Sequence, residues 1–328
     1  MSTLTELMEI AYNAALEAGR EILDVYEGSD FDVEMKADDS PLTVADKRAH
    51  DSIVRALEKS GLPVLSEEGA DIPVDERRGW ERYWLVDPLD GTKEFIKRNG
   101  EFTVNIALMA KSPQQTPHGG PGNEYVPAAG VVYVPVKDIA YLGVGGRGAW
   151  KVENALIEAL KSELQREESD PAYKGRNPVG IESVIGSARG LPVDDPASRP
   201  FSAVMSRSHN SPETEEYVSR LEETYGTAER VSSGSSIKLC LVAEGTADVY
   251  PRFAPTMEWD TAAGDAVCRA AGCRVTGKDE VTPLAYNKED LHNPWFVVLG
   301  PRLAGGGPAE GGISGGDRSG AKGRAAES

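Results

Sequence analysis

The segment Trp84-Leu85-Val86-Asp87-Pro88-Leu89-Asp90-Gly91-Thr92-Lys93-Glu94-Phe95 sets two aspartates three residues apart at the end of an apolar run. Pro88 fixes φ and Gly91 permits a tight bend, so Asp87 and Asp90 can converge on one side of the turn. The Gly-Thr pair can open a helix, leaving the backbone N–H groups of Gly91 and Thr92 free to hold a phosphate. Hard oxygens with room for water and phosphate are what Mg²⁺ requires. The ordinary alternative is a solvated Asp-Pro-x-Asp-Gly turn, and this segment alone does not choose. Three further acidic positions weigh against it. Ser66-Glu67-Glu68-Gly69 follows the strand-like Val64-Leu65, so one glutamate sits at a strand end, where α/β sites gather. Asp46 falls in the first turns of a helix after Thr43, a place that also suits a plain helix N-terminal acid. Asp260, within Glu258-Trp259-Asp260-Thr261-Ala262-Ala263-Gly264, opens a helix of small residues, where an N-cap is its bland role. Acids at so many strand ends and helix starts point to a shared site.

The elements that would position these acids are legible as hydrophobic periodicity. Leu4, Leu7, Ala11, Ala14, Ala15, Ala18, Ile22 and Val25 predict an amphipathic helix over 4–26. Pro41-Leu42-Thr43 opens a second, with Ala45, Ala49, Ile53, Ala56 and Leu57 as its apolar stripe and Gly61 as its end. Strand-like runs follow at 63–65, 83–86, 103–109, 130–134 and 139–144. Residues 1–154 thus form an expected N-terminal, metal-binding α/β sub-domain, and 155–200, rich in charge, Pro, Gly and Ser, an insertion. A second α/β unit spans 201–303, with helices near 212–225, 234–244 and 259–271 and strands near 246–251 and 295–299. Residues 304–328 have almost nothing to bury, and the expectation is a disordered tail.

Composition narrows the function classes. The chain has 328 residues, 40% hydrophobic and 27% charged, as a soluble globular protein does. No run approaches the ~18 uninterrupted apolar residues of a spanning helix. The N-terminus lacks the basic start and apolar core of a secretion signal, so a cytoplasmic location is expected. Cys240, Cys268 and Cys273 are an odd number without metal-ligand spacing and read as buried free thiols. A formal net charge of −18 argues against nucleic-acid or anionic-membrane partners. An anionic substrate would then need a local reversal of field, which bound dications supply.

Asp87-Pro88-Leu89-Asp90-Gly91-Thr92 together with Trp259-Asp260-Thr261-Ala262-Ala263-Gly264 resembles the paired signature of the inositol-monophosphatase-like, lithium-sensitive phosphatase superfamily. The extension from Tyr83 through Ala107 is similar to its bacterial 3′(2′),5′-bisphosphate nucleotidase branch. The likeness covers most of 4–150 and 201–300 and fails over the insertion and the tail. It implies an α/β fold of α+β layers, an alternating αβαβα sandwich of two sub-domains. It also implies hydrolysis of 3′-phosphoadenosine 5′-phosphate to AMP and phosphate, in sulfate assimilation and nucleotide recycling, with inhibition by Li⁺. Glu67, Asp87 and the carbonyl of Leu89 would bind one Mg²⁺, and Asp87, Asp90 and Asp260 a second. Asp46 and Thr92 resemble the pair that orients and deprotonates the attacking water, often with a third, loosely held metal. Gly91 and Thr92 would hold the scissile phosphate, with Glu67, Leu89, Asp90 and Asp260 also counted as substrate-binding. His209, Ser235, Lys238 and Arg252 match positions that contact the nucleotide and its 5′-phosphate, and Lys36 lies in a loop similar to one that closes near the metals. A second phosphate far from the metals needs fixed cations and helix-start N–H groups, so the assignment is physically apt. Separately, Ser235 suits an N-cap, and Lys238 and Arg252 suit solvated surface. The superfamily also contains inositol and sugar phosphate phosphatases, the nearest alternative; a catalytically idle nucleotide sensor is the alternative of another class. Monomer and homodimer both stay open, as does peripheral attachment to the inner face of the membrane, for which no anchor is visible.

Overall fold

The computed structural model describes residues 2–28, 33–35, 41–112, 125–161, 179–193, 195, 198–206 and 211–305, with 33–35 and 41–42 described as backbone alone. Lys36, His209, residues 162–178 of the 155–200 stretch and the tail from 306 therefore lie outside the described residues.

The first layer is helical. Helix α1 (Leu4–Glu27) starts in a capping box, where Thr3 Oγ1 accepts from the Glu6 N–H and the Glu6 carboxylate accepts from the Thr3 N–H. Its buried face, Leu7, Ala11, Ala15, Ala18 and Ile22, packs beside helix α2 (Val44–Leu57), which buries Ala45, Ala49, Ile53 and Leu57. A short hairpin of β1 (Val33–Met35) and β2 (Pro41–Thr43) leads into α2.

Beneath lies a seven-stranded sheet in sequence order: β3 (Val64–Ser66), β4 (Arg82–Asp90), β5 (Thr103–Lys111), β6 (Tyr125–Val134), β7 (Ile139–Val144), β8 (Gly148–Glu153) and β9 (Arg189–Gly190). Helix α3 (Val74–Arg77) precedes β4, and α4 (Thr92–Ile96) follows it. β3 and β4 are parallel and the other neighbours antiparallel. Trp84, Val86, Val104 and Ile106 point toward α1 and α2, while Tyr83, Leu85, Ala107 and Met109 point the other way into a second core. Both faces are covered, which is why β4 and β5 read as nearly continuous apolar runs.

The second core is filled by helices α7 (Ile237–Glu244) and α8 (Glu258–Ala270). Beyond them is a five-stranded sheet ordered β11-β10-β12-β14-β13, where β10 is Ser202–Ser206, β11 Glu229–Ser233, β12 Val249–Arg252, β13 Arg274–Gly277 and β14 Phe296–Leu299. Helix α6 (Pro212–Tyr225) closes its far side through Tyr217 and Val218, against Ala203, Met205, Val249 and Phe253. Helix, sheet, helix, sheet, helix: the five expected layers are present.

Small residues set how deeply α8 sits. A Cβ on Gly130 would lie 2.5 Å from the carbonyl oxygen of Ala263, and one on Gly143 would lie 2.5 Å from Val267 Cα. Side chains at either position would lift α8 off the first sheet, and with it the first turn that carries Asp260.

The expected elements recur within a few residues of their predicted bounds. Pro41–Thr43, expected to open the second helix, is instead the strand β2, with Thr43 as the N-cap of α2, and six strands in all, β1 and β2 among them, gave no sequence signal. β11 is an exposed edge with a polar pattern, Glu-Arg-Val-Ser-Ser, and β8, β9 and β13 are short or carry charge. Within the 155–200 stretch, helix α5 (Ile181–Ser187) buries Ile181 and Val184 against the α1 core, and β9 pairs with β8. Among the described residues, no helix is long and apolar enough to cross a membrane.

Candidate active site

The acidic residues meet where β4 ends. The β4–β5 ladder slips between Asp87 and Asp90, the irregularity that turns both side chains toward one spot. Gly91 then takes φ +95°, with Glu101 O and Ser235 Cβ crowding the place of its missing side chain, before α4 begins at Thr92. Asp87 is buried and accepts from the Leu89 N–H at 3.1 Å. From the layer between the two sheets α8 delivers Asp260. One carboxylate oxygen from each of Asp87, Asp90 and Asp260 lies within 4.8 Å of the others. Glu67 begins a 3₁₀ turn directly after β3, and Ser66 pairs with Val86 one residue before Asp87.

Burial pushes Asp87 well above the usual carboxylate range, and Glu67, Asp90 and Asp260 push it further by like-charge repulsion. Asp260 is pushed up to about 8, again by burial first and then by Asp90. Among the described residues no lysine or arginine forms an ion pair with Asp87, Asp90 or Asp260. Crowded carboxylates of this kind require protons or hard cations, and the oxygen-only donor set suits Mg²⁺ or a similar dication.

Asp46 combines its two readings. Its Oδ2 accepts from the backbone N–H of Thr43 at 2.8 Å and lies 2.5 Å from Thr43 Oγ1, capping α2, while its Oδ1 lies 3.3 Å from Thr92 Oγ1. Thr92 Oγ1 is also 3.4 Å from the Leu89 carbonyl oxygen. Asp260 differs from the N-cap alternative. It is the third residue of α8, and its Oδ2 reaches back to accept from the Met257 N–H at 2.9 Å. The tertiary approach of α8 leaves that carboxylate facing Asp90 as well.

A cleft runs from Asp90 and Asp260 along Gly91 and Ser235 to Lys238 and Arg252. Ser235 is not the N-cap: it precedes Ser236 in that place, takes φ +45°, and its buried Oγ has no partner among the described residues. Lys238 is buried, not solvated. Its Nζ donates to the Ser235 carbonyl at 2.6 Å and sits 5.5 Å from the centre of the Tyr250 ring, and burial pulls its pKa down to about 8. Arg252, half-buried, donates to Ser206 Oγ and to the Pro255 carbonyl. The chain thus brings together Asp46, Glu67, Asp87, Leu89, Asp90, Gly91, Thr92, Ser235, Lys238, Arg252 and Asp260, whereas His209 lies outside the described residues. Cys240, Cys268 and Cys273 are free and buried in the second core, clear of the cluster.

Two participants escaped the sequence reading. Ser236 adjoins Ser235, and nothing local separates their roles. Asn105 did leave a signal: it is the one polar residue in Val104–Ala110, otherwise wholly apolar.

Fold and site define a layered α/β protein whose cluster of carboxylates, between its two sheets, is consistent with divalent metal binding. The profile of the inositol monophosphatase family matches residues 3–295, and the chain belongs to that family. Among its relatives is the 3′(2′),5′-bisphosphate nucleotidase CysQ of Escherichia coli K12, 44% identical over 303 residues that cover 90% of this chain and 98% of the relative. The Salmonella typhimurium protein of the same name is 41% identical over 296 residues, covering 89% and 99%. The crystal structure of CysQ from Bacteroides thetaiotaomicron is 49% identical, with a TM-score of 0.75 over 90% of this chain and 98% of that one. An inositol monophosphatase from Anabaena shares the fold at 22% identity, with a TM-score of 0.59 over 94% and 99%.

Proposed function

We propose that the chain is a Mg²⁺-dependent phosphatase that removes the 3′-phosphate from 3′-phosphoadenosine 5′-phosphate, giving AMP and phosphate. The observation that carries this reading is the meeting of Asp87, Asp90 and Asp260 at the mouth of a cleft whose other end holds Lys238 and Arg252. One end suits a phosphate undergoing hydrolysis and the other a second phosphate that is only held. The nucleotidase relatives support the same substrate class.

Glu67, Asp87, Asp90 and Asp260, with the Leu89 carbonyl, would hold the ions. Bound Mg²⁺ supplies positive charge against the scissile phosphate and lowers the pKa of water. The protein's own groups do the rest. Thr92 Oγ1, hydrogen-bonded to Asp46, accepts a proton from the attacking water while its own hydroxyl proton passes to Asp46. Gly91 and Thr92 hold the phosphate in line. Lys238, Arg252, Ser235 and His209 take the nucleotide and its 5′-phosphate, which fixes the 3′-ester against the cluster. The departing 3′-oxygen takes a proton from water, so no covalent phosphoenzyme is required.

A phosphate-release panel tests this reading, run on 3′-phosphoadenosine 5′-phosphate, inositol 1-phosphate and a sugar phosphate, with Mg²⁺ varied and EDTA as the blank. Release from the bisphosphonucleotide is expected to dominate and to vanish with EDTA. Equal or faster release from inositol 1-phosphate would move the assignment to the inositol branch. Absence of release from every substrate would leave an idle binding protein.

A further inference from the structure

We infer that Ser236, braced by Asn105, is a positioning residue that aims Asp90 into the acidic cluster and ties it to Asp260. The inference rests on the reading of that cluster as a dication site.

Four elements meet at one hydroxyl. The Ser236 backbone N–H donates to Asp90 Oδ2 at 2.6 Å, and Ser236 Oγ lies 2.8 Å from the same oxygen. Ser236 Oγ is also 2.6 Å from the carbonyl oxygen of Asp260. From β5, Asn105 Nδ2 donates to Ser236 Oγ at 2.9 Å and reaches Asp90 Oδ2 at 3.4 Å. Thr103 Oγ1 stands 3.5 Å from that oxygen too. A carboxylate oxygen has about two lone-pair sites. Asp90 Oδ2 is therefore spent on the protein, and Oδ1 is the oxygen left for a cation. The same contacts join β4, which carries Asp87 and Asp90, to α8, which carries Asp260. The two halves of the cluster are held in register through one serine.

Burial makes this arrangement costly unless it serves something. Ser236 and Asn105 are each 1% exposed. Asn105 Oδ1 has no hydrogen-bond partner among the described residues. Leaving such an acceptor unmatched opposes folding. What the amide achieves in return is the orientation of Ser236 and Asp90. Partners of ligating carboxylates commonly set metal affinity by about 10- to 100-fold.

The test uses the full chain freed of metal, with Mn²⁺ alone as the probe. Ser236→Ala is expected to bind Mn²⁺ at least about tenfold more weakly, while the metal-free protein melts within a few degrees of wild type. In turnover, the Mg²⁺ concentration for half-maximal rate should rise by a similar factor, and KM for the nucleotide at saturating Mg²⁺ should change less than about threefold. Asn105→Ala, the second variant, should shift Mn²⁺ affinity in the same direction. The double variant should lose less than the sum, because the two side chains act through one hydrogen bond. Wild-type Mn²⁺ affinity in both folded single variants overturns the inference and leaves the phosphatase reading intact. Failure of the wild type to bind Mn²⁺ overturns the dication reading and this inference together.

Discussion

Two kinds of carboxylate stand within one turn of α8, one fully buried and one half-buried. Glu258, fully buried, accepts from Lys288 Nζ at 2.5 Å and from the backbone N–H groups of Asn287 and Lys288. Two residues on, Asp260 faces Asp90 and Asp87 with no basic partner among the described residues. Elsewhere the molecule follows the Glu258 pattern. Asp265 is clamped by Arg269 at 2.7 and 3.0 Å, and Asp248 by Arg199 and Arg302. Burial raises the pKa of Glu258, but Lys288 pulls against it, whereas at Asp260 the neighbouring charge adds to the burial. An acid buried with its own cation is architecture, complete in itself. Acids crowded against each other call for protons or hard cations to complete them.

The comparison can be broken by removing one member of each set. Asp90→Asn should cut turnover by roughly 10³-fold or more while the fold survives, since the protein loses a repulsion along with a ligand. A near-normal phosphate-release rate would end the assignment of the cluster as catalytic. Lys288→Met should do the reverse, leaving Glu258 buried and unpaired at a cost of about 3–5 kcal/mol, read as a lower denaturation midpoint with the intrinsic chemistry retained. Loss of activity without loss of stability there would erase the distinction between the two settings.

Acidity sharpens the contrast. Burial and Asp90 push Asp260 up to about 8 in the folded chain, from the ordinary carboxylate value of 3.8 that it keeps when unfolded. Between those values the folded state holds more protons than the unfolded one, so stability falls as pH rises. Metal-free protein should therefore melt several degrees lower at pH 8.5 than at pH 5.5, and added Mg²⁺ should restore more stability at the higher pH. Asp90→Asn should flatten this dependence, and a metal-free wild type as stable at pH 8.5 as at pH 5.5 would contradict it. The smallest expected effect lies at the cleft's far end. Arg252→Ala should raise KM for the bisphosphonucleotide by about tenfold, and for a nucleoside monophosphate lacking the 5′-phosphate far less. Equal losses on both would remove Arg252 from the second phosphate.

Much of this site could be read in one dimension because its chemistry is local. Asp87, Pro88, Leu89, Asp90, Gly91 and Thr92 occupy six consecutive positions, and their turn follows from the φ restriction of proline and the freedom of glycine. The layers were legible for a similar reason: helical spacing over 4–26 and apolar runs at 103–109 and 130–134 each encode which side must be buried. The roles of Ser236 and Asn105 were not legible, since their partners lie as far as 146 positions away. The same holds for Lys238, whose pKa is lowered by its burial and by Arg252, both set by the surrounding layers and not by its own helix.

Residue types alone therefore determined that this chain carries a phosphate-oriented acidic turn and the layered elements to support it. Tertiary packing decided which acids share that turn. Gly130 and Gly143 admit α8 close enough for Asp260 to reach β4, and Lys288 neutralises Glu258 while nothing described pairs with Asp260. The reason is physical: a carboxylate's character depends on the charges and water around it, and those are set by chain segments that sequence proximity does not connect.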